Sequence, residues 1–396
     1  MRSVRSFSLS VLAMDPGIRL CFWAGVLCIG MIWISGCGSL NTACSSPLSV
    51  IANPASPHNA DYLEYQQGRL TEAQLMDRLP HVVLVGDSLS RGFYVSSFVS
   101  GVWRSKMSHG HDWFLDTDTS VNSVYSLNKR LARETPWVAC EYSSVGGKVD
   151  SGGGGNGGIF RSWFPLDFSQ QTDLILKEKR FPDLVLLWIG HNNLNWVESV
   201  DPTRPEKVAT ALQNIVARFR EDYARQLGRL VERARDQKER RAIIVFGLVN
   251  FKSFFEARDA AEQLRRENPN LYPYFYVDYK YYEAMKPEYR ANMVKLALMI
   301  NEELRAMVGE FNRKLGGDSQ VRLEYSDALA TVDISNPELI HPTDAWHPSP
   351  KGHSVLAEAA FGALRPSLNF LGIVPLPKTT DSKVRPSNRT IFMVLQ

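Results

Sequence analysis

Four short runs of continuously apolar, largely β-branched sequence, at residues 82–85, 184–189, 243–246 and 321–325, narrow the folds open to this chain more than any other feature. A strand with one wet face alternates apolar and polar residues, whereas a run without alternation has to be covered on both faces, as in a parallel sheet. Between the runs lie long helical patterns, at 206–240 with Val208, Leu212, Ile215, Val216 and Phe219 as the apolar stripe, and at 290–315. Strand then helix, repeated, predicts a three-layer α/β/α sandwich on a mainly parallel sheet, with ligands at the carboxyl ends of the strands. At 396 residues, 44% of them hydrophobic, the chain is long enough to bury such a core. Two excursions, at 93–137 and 251–286, do not fit the minimal alternation and read as insertions, which in compact α/β folds often shape or cover a binding site.

The N-terminus has to be set aside before any fold reasoning. Arg2, Arg5 and Arg19 precede an apolar run at 20–34, short for a spanning helix, and Met14 would begin a more compact version of the same signal. The run ends in Ile34-Ser35-Gly36-Cys37, which resembles the lipobox of bacterial lipoproteins. That resemblance implies that residues 1–36 are a signal peptide and that Cys37 is lipidated as the new N-terminus; an uncleaved membrane anchor is the alternative. Either way the body is expected in a bacterial cell envelope, facing periplasm or exterior, with the membrane as a partner through the anchor. Residues 37–59, small and polar with prolines, read as a tether, 60–370 as the folded body and 371–396 as a C-terminal tail. Only Cys44 and Cys140 remain for the body, which is no disulfide framework, and the place of Cys44 in the tether argues against a Cys44–Cys140 bridge. A balance of 45 basic against 42 acidic residues leaves +3, too weak a field to imply a nucleic-acid partner.

The chemistry is concentrated at the strand ends. The run 82–85 feeds straight into Gly86-Asp87-Ser88-Leu89, which stands a serine at the carboxyl edge of the sheet, where backbone N–H groups can stabilise an oxyanion. Near the C-terminus come Asp344-Ala345-Trp346-His347-Pro348 and then Ser349-Pro350-Lys351-Gly352 at the head of a helical run. A carboxylate three residues before an imidazole can hold its Nδ1–H and leave Nε2 to accept a serine proton. Taken alone, the first motif could equally be an ordinary turn capping a helix, and the second would more often be a pair of polar loop residues before one.

Gly-Asp-Ser-Leu after the first strand and Asp-x-x-His-Pro near the end resemble blocks one and five of the SGNH (GDSL) hydrolases, a family with a flavodoxin-like sandwich. The two intervening blocks have counterparts in order. After the run 184–189, Gly190-His191-Asn192-Asn193 resembles the family's Gly-x-Asn-Asp and places Asn192 on its oxyanion asparagine, with a second Asn in place of the usual Asp. Ser144-Val145-Gly146-Gly147-Lys148 supplies the block-two glycine, Gly147 by spacing with Gly146 as the alternative. The resemblance spans roughly 82–364. It implies Ser88 as nucleophile, His347 as general base oriented by Asp344, and an oxyanion hole from the Ser88 N–H, the Gly147 N–H and the Asn192 amide, with no metal or organic cofactor. The implied substrate is a lipid or carbohydrate ester. An O-acyltransferase and a non-catalytic carbohydrate-binding module are the competing readings.

Other features are read more plainly. The glycines at 152–155 and 157–158 lack the Gly-Lys-Ser/Thr of a phosphate cradle and read as a loop beside the site. His109, His111 and Asp112 read as loop residues rather than metal ligands. His341 is a rival base without an Asp three residues upstream. The tyrosine-rich stretch 271–282 reads as an insertion packing its own aromatic side chains, with sugar or acyl contact as the alternative.

Overall fold

Each of the four runs becomes a strand, though the last, Val-Arg-Leu-Glu-Tyr, alternates rather than running continuously apolar, and its strand is buried only at Val321 and Leu323. The computed structural model describes residues 43–45, 53, 55–91, 98–99, 102–103, 112–116, 124–149, 166–268, 286–317, 320–341 and 346–373. Its strands in chain order are β1 (Ala43–Ser45), β2 (His81–Gly86), β3 (Phe98–Val99), β4 (Val102–Trp103), β5 (Val138–Glu141), β6 (Leu184–Trp188), β7 (Arg241–Phe246) and β8 (Val321–Ser326). One six-stranded sheet runs β1-β5-β2-β6-β7-β8, and β3 and β4 form a separate antiparallel pair. From β5 to β8 every neighbour is parallel, and these strands follow the flavodoxin-like order, with the direction of winding reversing between β2 and β6. Every residue of β6 and β7 is buried, as a lack of alternation requires of central strands.

The helices are α1 (Asn59–Gln66), α2 (Glu72–Arg78), α3 (Leu127–Leu131), α4 (Phe168–Leu176), α5 (Pro205–Arg235), α6 (Phe251–Glu267), α7 (Pro287–Leu315), α8 (Pro350–Ala363) and α9 (Arg365–Phe370). α4, α5 and α7 pack side by side, while α3 packs on α8 with Trp113 pressed edge-on against Trp188 and Phe246 of the sheet, giving the three layers of an α/β/α sandwich. The expected stripe of α5 is real: Leu212, Val216 and Phe219 are buried and the face continues through Tyr223, Leu227 and Leu230. That helix stops at Arg235 rather than running to 240, and β7 begins at Arg241. Pro205, Pro287 and Pro350 each stand in the first turn of their helix, where a missing N–H removes nothing.

Three findings depart from the sequence reading. The first half of the second insertion is α6, started by the Asn250 side chain accepting from the N–H groups of Lys252 and Ser253. β5 is not among the apolar runs, because four residues, Val-Ala-Cys-Glu, carry too little pattern. Finally, residues 43–45 of the expected tether form an edge strand, antiparallel to β5, with Cys44 directly opposite Cys140. Cys140 is disulfide-bonded, so the expectation against a bridge at this cysteine is corrected. A tether rich in small polar residues looks free in one dimension, yet a sheet edge offers it unpaired backbone groups to bond. No helix among the described residues is long and apolar enough to cross a membrane.

Candidate active site

At the carboxyl end of β2 the chain makes a tight turn, with the Ser90 N–H donating to Asp87 O at 3.1 Å and the Arg91 N–H to Ser88 O at 3.3 Å. Gly86 is obligatory here, since a Cβ would stand 2.2 Å from Ser90 Oγ and 3.2 Å from Trp188 O. Its peptide is gripped from α4 by Gln171, whose Oε1 accepts from the Gly86 N–H at 3.0 Å while its Nε2 donates to Gly86 O at 2.9 Å. Ser88 is 6% exposed, and its hydroxyl makes no hydrogen bond to a described residue.

Asp87, fully buried, ties this turn to the next strand end. One carboxylate oxygen accepts from the Leu89 N–H at 3.0 Å. The other accepts from the His191 backbone N–H at 3.2 Å and lies 2.8 Å from His191 Nδ1. His191 Nε2 in turn accepts from the Val249 N–H at 3.4 Å, which puts the ring proton on Nδ1, facing Asp87. The imidazole is wedged edge-on against Trp188, with ring centroids 4.8 Å apart. The Ser88 turn, the loop after β6 and the loop after β7 are thus joined through one carboxylate and one imidazole.

Block three leaves β6 through Gly190, whose φ of 128° suits only glycine and whose missing side chain makes room for Phe219, 2.9 Å from a notional Cβ. Asn192 and Asn193 then divide the work. Asn192 Nδ2 donates to Gly147 O at 3.0 Å, which uses one of its two hydrogens and brings the block-two and block-three loops together. Asn193 is buried and grips a single residue twice, accepting from the Val149 N–H at 2.8 Å and donating to Val149 O at 2.9 Å. A carboxylate could accept but not donate, so the departure from the family's Asp fits its partner here.

Gly147 meets a competitor for the role expected of it. Its N–H already donates to Ser144 O at 2.9 Å, closing a turn in which Gly146 takes a φ of 78°. Gly147 also has to be glycine, for a Cβ would lie 2.9 Å from Leu166 O.

His347 is 5% exposed and sits in a narrow hairpin, with the His341 N–H donating to His347 O at 2.7 Å and the Ser349 N–H to Leu339 O at 2.9 Å. Asp344 lies outside the described residues, as do Cys37, His109, His111, the glycines 152–158 and the aromatic stretch 271–282. The hairpin is braced by α6: Phe254 meets Trp346 edge-on at 4.8 Å, and Phe251 lies 5.7 Å from the same ring. Leu89, next to Ser88, shares one apolar cavity with Trp346 and Pro348, the two neighbours of His347. The structure therefore brings the Ser88 turn and the His347 hairpin to the walls of one cavity, and Gly147 and Asn192 to direct contact.

Behind the site lies His353, on α8, whose Nδ1 accepts from the Trp113 N–H at 3.2 Å. Burial, helped by His347 and His341 nearby, lowers its pKa to about 3 and keeps the ring neutral. A second buried group joins Asp112 and Glu141 beside Arg91, whose Nη1 donates to Ser143 O at 3.0 Å. Burial raises Asp112 to about 6 against the pull of the Leu115 and Phe114 N–H groups. Burial and then the Asp112 charge push Glu141 well above the usual carboxylate range. Gln171 and Asp87 were not singled out from sequence as holding the site. Their only local signal is polarity directly after an apolar run or inside a helix, which many surface residues share.

Comparison with known proteins follows the same outline. A family model described as GDSL-like Lipase/Acylhydrolase matches residues 82–360. No curated protein matches the chain. Among solved structures, the crystal structure of the lipase Lip_vut3 from a goat rumen metagenome is 15% identical, covering 73% of this chain and 97% of that one with a TM-score of 0.37.

Proposed function

Since the chain belongs to the GDSL-like lipase/acylhydrolase family and is an ester-hydrolysing enzyme, we propose that it cleaves a lipid or carbohydrate carboxylic ester through an acyl-enzyme on Ser88. His347 takes the Ser88 proton through Nε2 while Oγ attacks the ester carbonyl, and Asp344 holds the imidazole for that transfer. The oxyanion is held by the Ser88 N–H, the second hydrogen of Asn192 Nδ2 and a backbone N–H of the 144–147 turn. The intermediate expels the alcohol, which leaves with the proton carried by His347. Water, deprotonated by the same ring, then frees the carboxylic acid and restores Ser88.

One observation carries this reading: Ser88 and Asn192 follow adjacent strands at the point where the sheet winding reverses, and Asp87 bridges their loops through His191. Labelling by a fluorophosphonate probe, wild type beside Ser88→Ala, tests it. The wild type is expected to label and Ser88→Ala not; equal labelling removes Ser88 from the mechanism. Asn192→Ala should retain labelling but lose roughly a hundredfold in kcat.

The same proposal places the enzyme in a bacterial envelope, lipid-anchored at Cys37. The disulfide at Cys140 supports an oxidising compartment. Membrane fractionation of Cys37→Ser against wild type decides it, with unchanged membrane association counting against the anchor.

A further inference from the structure

Segments at the catalytic edge of the sheet are held by one recurring device, a side-chain amide that accepts from a residue's N–H and donates to the same residue's C=O. Gln171 holds Gly86 and Asn193 holds Val149 in this way, beside Ser88 and Gly147 respectively. A further amide, that of Asn301 on α7, holds Leu248 just past the end of β7. Its Oδ1 accepts from the Leu248 N–H at 2.7 Å and its Nδ2 donates to Leu248 O at 3.2 Å. The need for it is local: the Gly247 N–H makes the last bond to β8, at Ser326 O, so the fully buried Leu248 would otherwise bring two backbone groups into the core without partners. Gly247 admits the amide, since a Cβ there would lie 3.3 Å from Asn301 Cγ and 2.7 Å from Tyr325 Oη.

Leu248 carries no catalytic group, so the consequence of the clamp falls on its neighbour. Val249 donates its N–H to His191 Nε2 at 3.4 Å, and that donor is what leaves the ring proton on Nδ1, facing Asp87. A contact of this length stands near the limit of a hydrogen bond, so a shift of a few tenths of an ångström at residue 249 breaks it. Packing holds Val249 only in part, because it borders the apolar cavity shared with Leu89, Phe251 and Trp346.

We propose that Asn301 is a positioning residue for ester hydrolysis: by clamping Leu248 it fixes the Val249 N–H on His191, which keeps the imidazole in the tautomer that donates to Asp87 and so registers the Ser88 turn against the Asn192 loop. Among the described residues Asn301 hydrogen-bonds only to Leu248, 53 residues away in sequence. The proposal rests on Ser88 and Asn192 as catalytic groups, and it adds to their site a residue from the helix layer.

A double-variant cycle on the full chain, read as kcat for p-nitrophenyl acetate, tests the route. Asn301→Leu, close to asparagine in size, removes both bonds and should lower kcat about tenfold with KM little changed. Because the effect runs through His191, Asn301→Leu combined with His191→Phe should lose no more than His191→Phe alone. Losses that multiply overturn the proposal, as does wild-type kcat in Asn301→Leu below its melting temperature. Ring nitrogen NMR gives a readout that a merely structural role would not move. The His191 signals, identified by their absence from His191→Phe, should report the Nδ1–H tautomer in the wild type and a mixture of tautomers in Asn301→Leu. An unchanged tautomer overturns the route even where kcat falls. Should Asn301→Leu not fold, Asn301→Asp keeps an acceptor for the Leu248 N–H and loses only the donor, and it carries the same cycle and spectra with a loss of about threefold. Ser88→Ala separates the failures: hydrolysis persisting in it would overturn the catalytic reading, while the His191 spectra would still decide the clamp.

Discussion

Asp87 sits one residue before the proposed nucleophile, yet its partners are the N–H groups of Leu89 and His191 and the His191 ring, over a hundred residues away. A buried carboxylate keeps its place only while such donors are present, and removing one leaves the charge uncompensated. His191→Phe should therefore lower kcat by roughly tenfold to a hundredfold through misplacement of Ser88 and Asn192, with KM little changed. It should also cost about 1–3 kcal/mol of stability. His191→Asn, whose amide can stand near the Nδ1 position, should recover most of the kcat. A purely structural role would predict a melting shift without the kcat loss, and wild-type kcat in the Phe variant would discard the positioning role. Asn193→Asp, a change toward the family's usual residue, replaces a donor facing Val149 O with an oxygen. Chemical denaturation should show a loss of about 1–3 kcal/mol, and an unchanged midpoint would refute the paired-bond account.

At the scale of elements, β1 contributes three residues and no catalytic group, but it pairs with the strand that carries the Cys140 disulfide. Reducing it should lower stability by about 2–4 kcal/mol, read as the difference in urea midpoint with and without reductant. Turnover of a soluble ester under native conditions should survive, because the strands that carry Ser88 and Asn192 are central and do not depend on the edge. Identical midpoints would show that the disulfide does not help hold the fold. α6 makes the complementary case on the other side of the site. Its Phe251 and Phe254 pack on Trp346, so this part of an apparent insertion braces the hairpin that carries His347.

Across the whole molecule, opposing buried groups bound the pH range of stability. Asp112, raised to about 6, and Glu141, raised further, fold most favourably as neutral acids. Their contribution is full below the ordinary carboxylate range near 4 and is lost as pH climbs through 6 and beyond. His353 and His81, lowered by burial to about 3 and about 4, act oppositely: their contribution is full above about 6.5 and is lost as pH falls toward those values. Glu141→Gln removes one acid from the first set, so it should raise the urea midpoint more at pH 8 than at pH 5. An equal gain at both would mean that Glu141 is ionised throughout.

Sequence alone determined the parts of this enzyme that depend on local pattern. Continuous apolar runs specified β2, β6 and β7, the helical stripe specified the buried face of α5, and the motifs at Ser88, Asn192 and His347 pointed to an ester hydrolase. These were legible because burial and turn geometry are written in neighbouring residues. Tertiary structure decided what holds those residues: Gln171 on Gly86, His191 on Asp87, Asn193 on Val149, and the strand at 43–45 beside β5. Each of those contacts joins positions between 44 and 104 residues apart. No local period records such a choice, because strand order and the meeting of loops at one sheet edge select which polar groups satisfy one another.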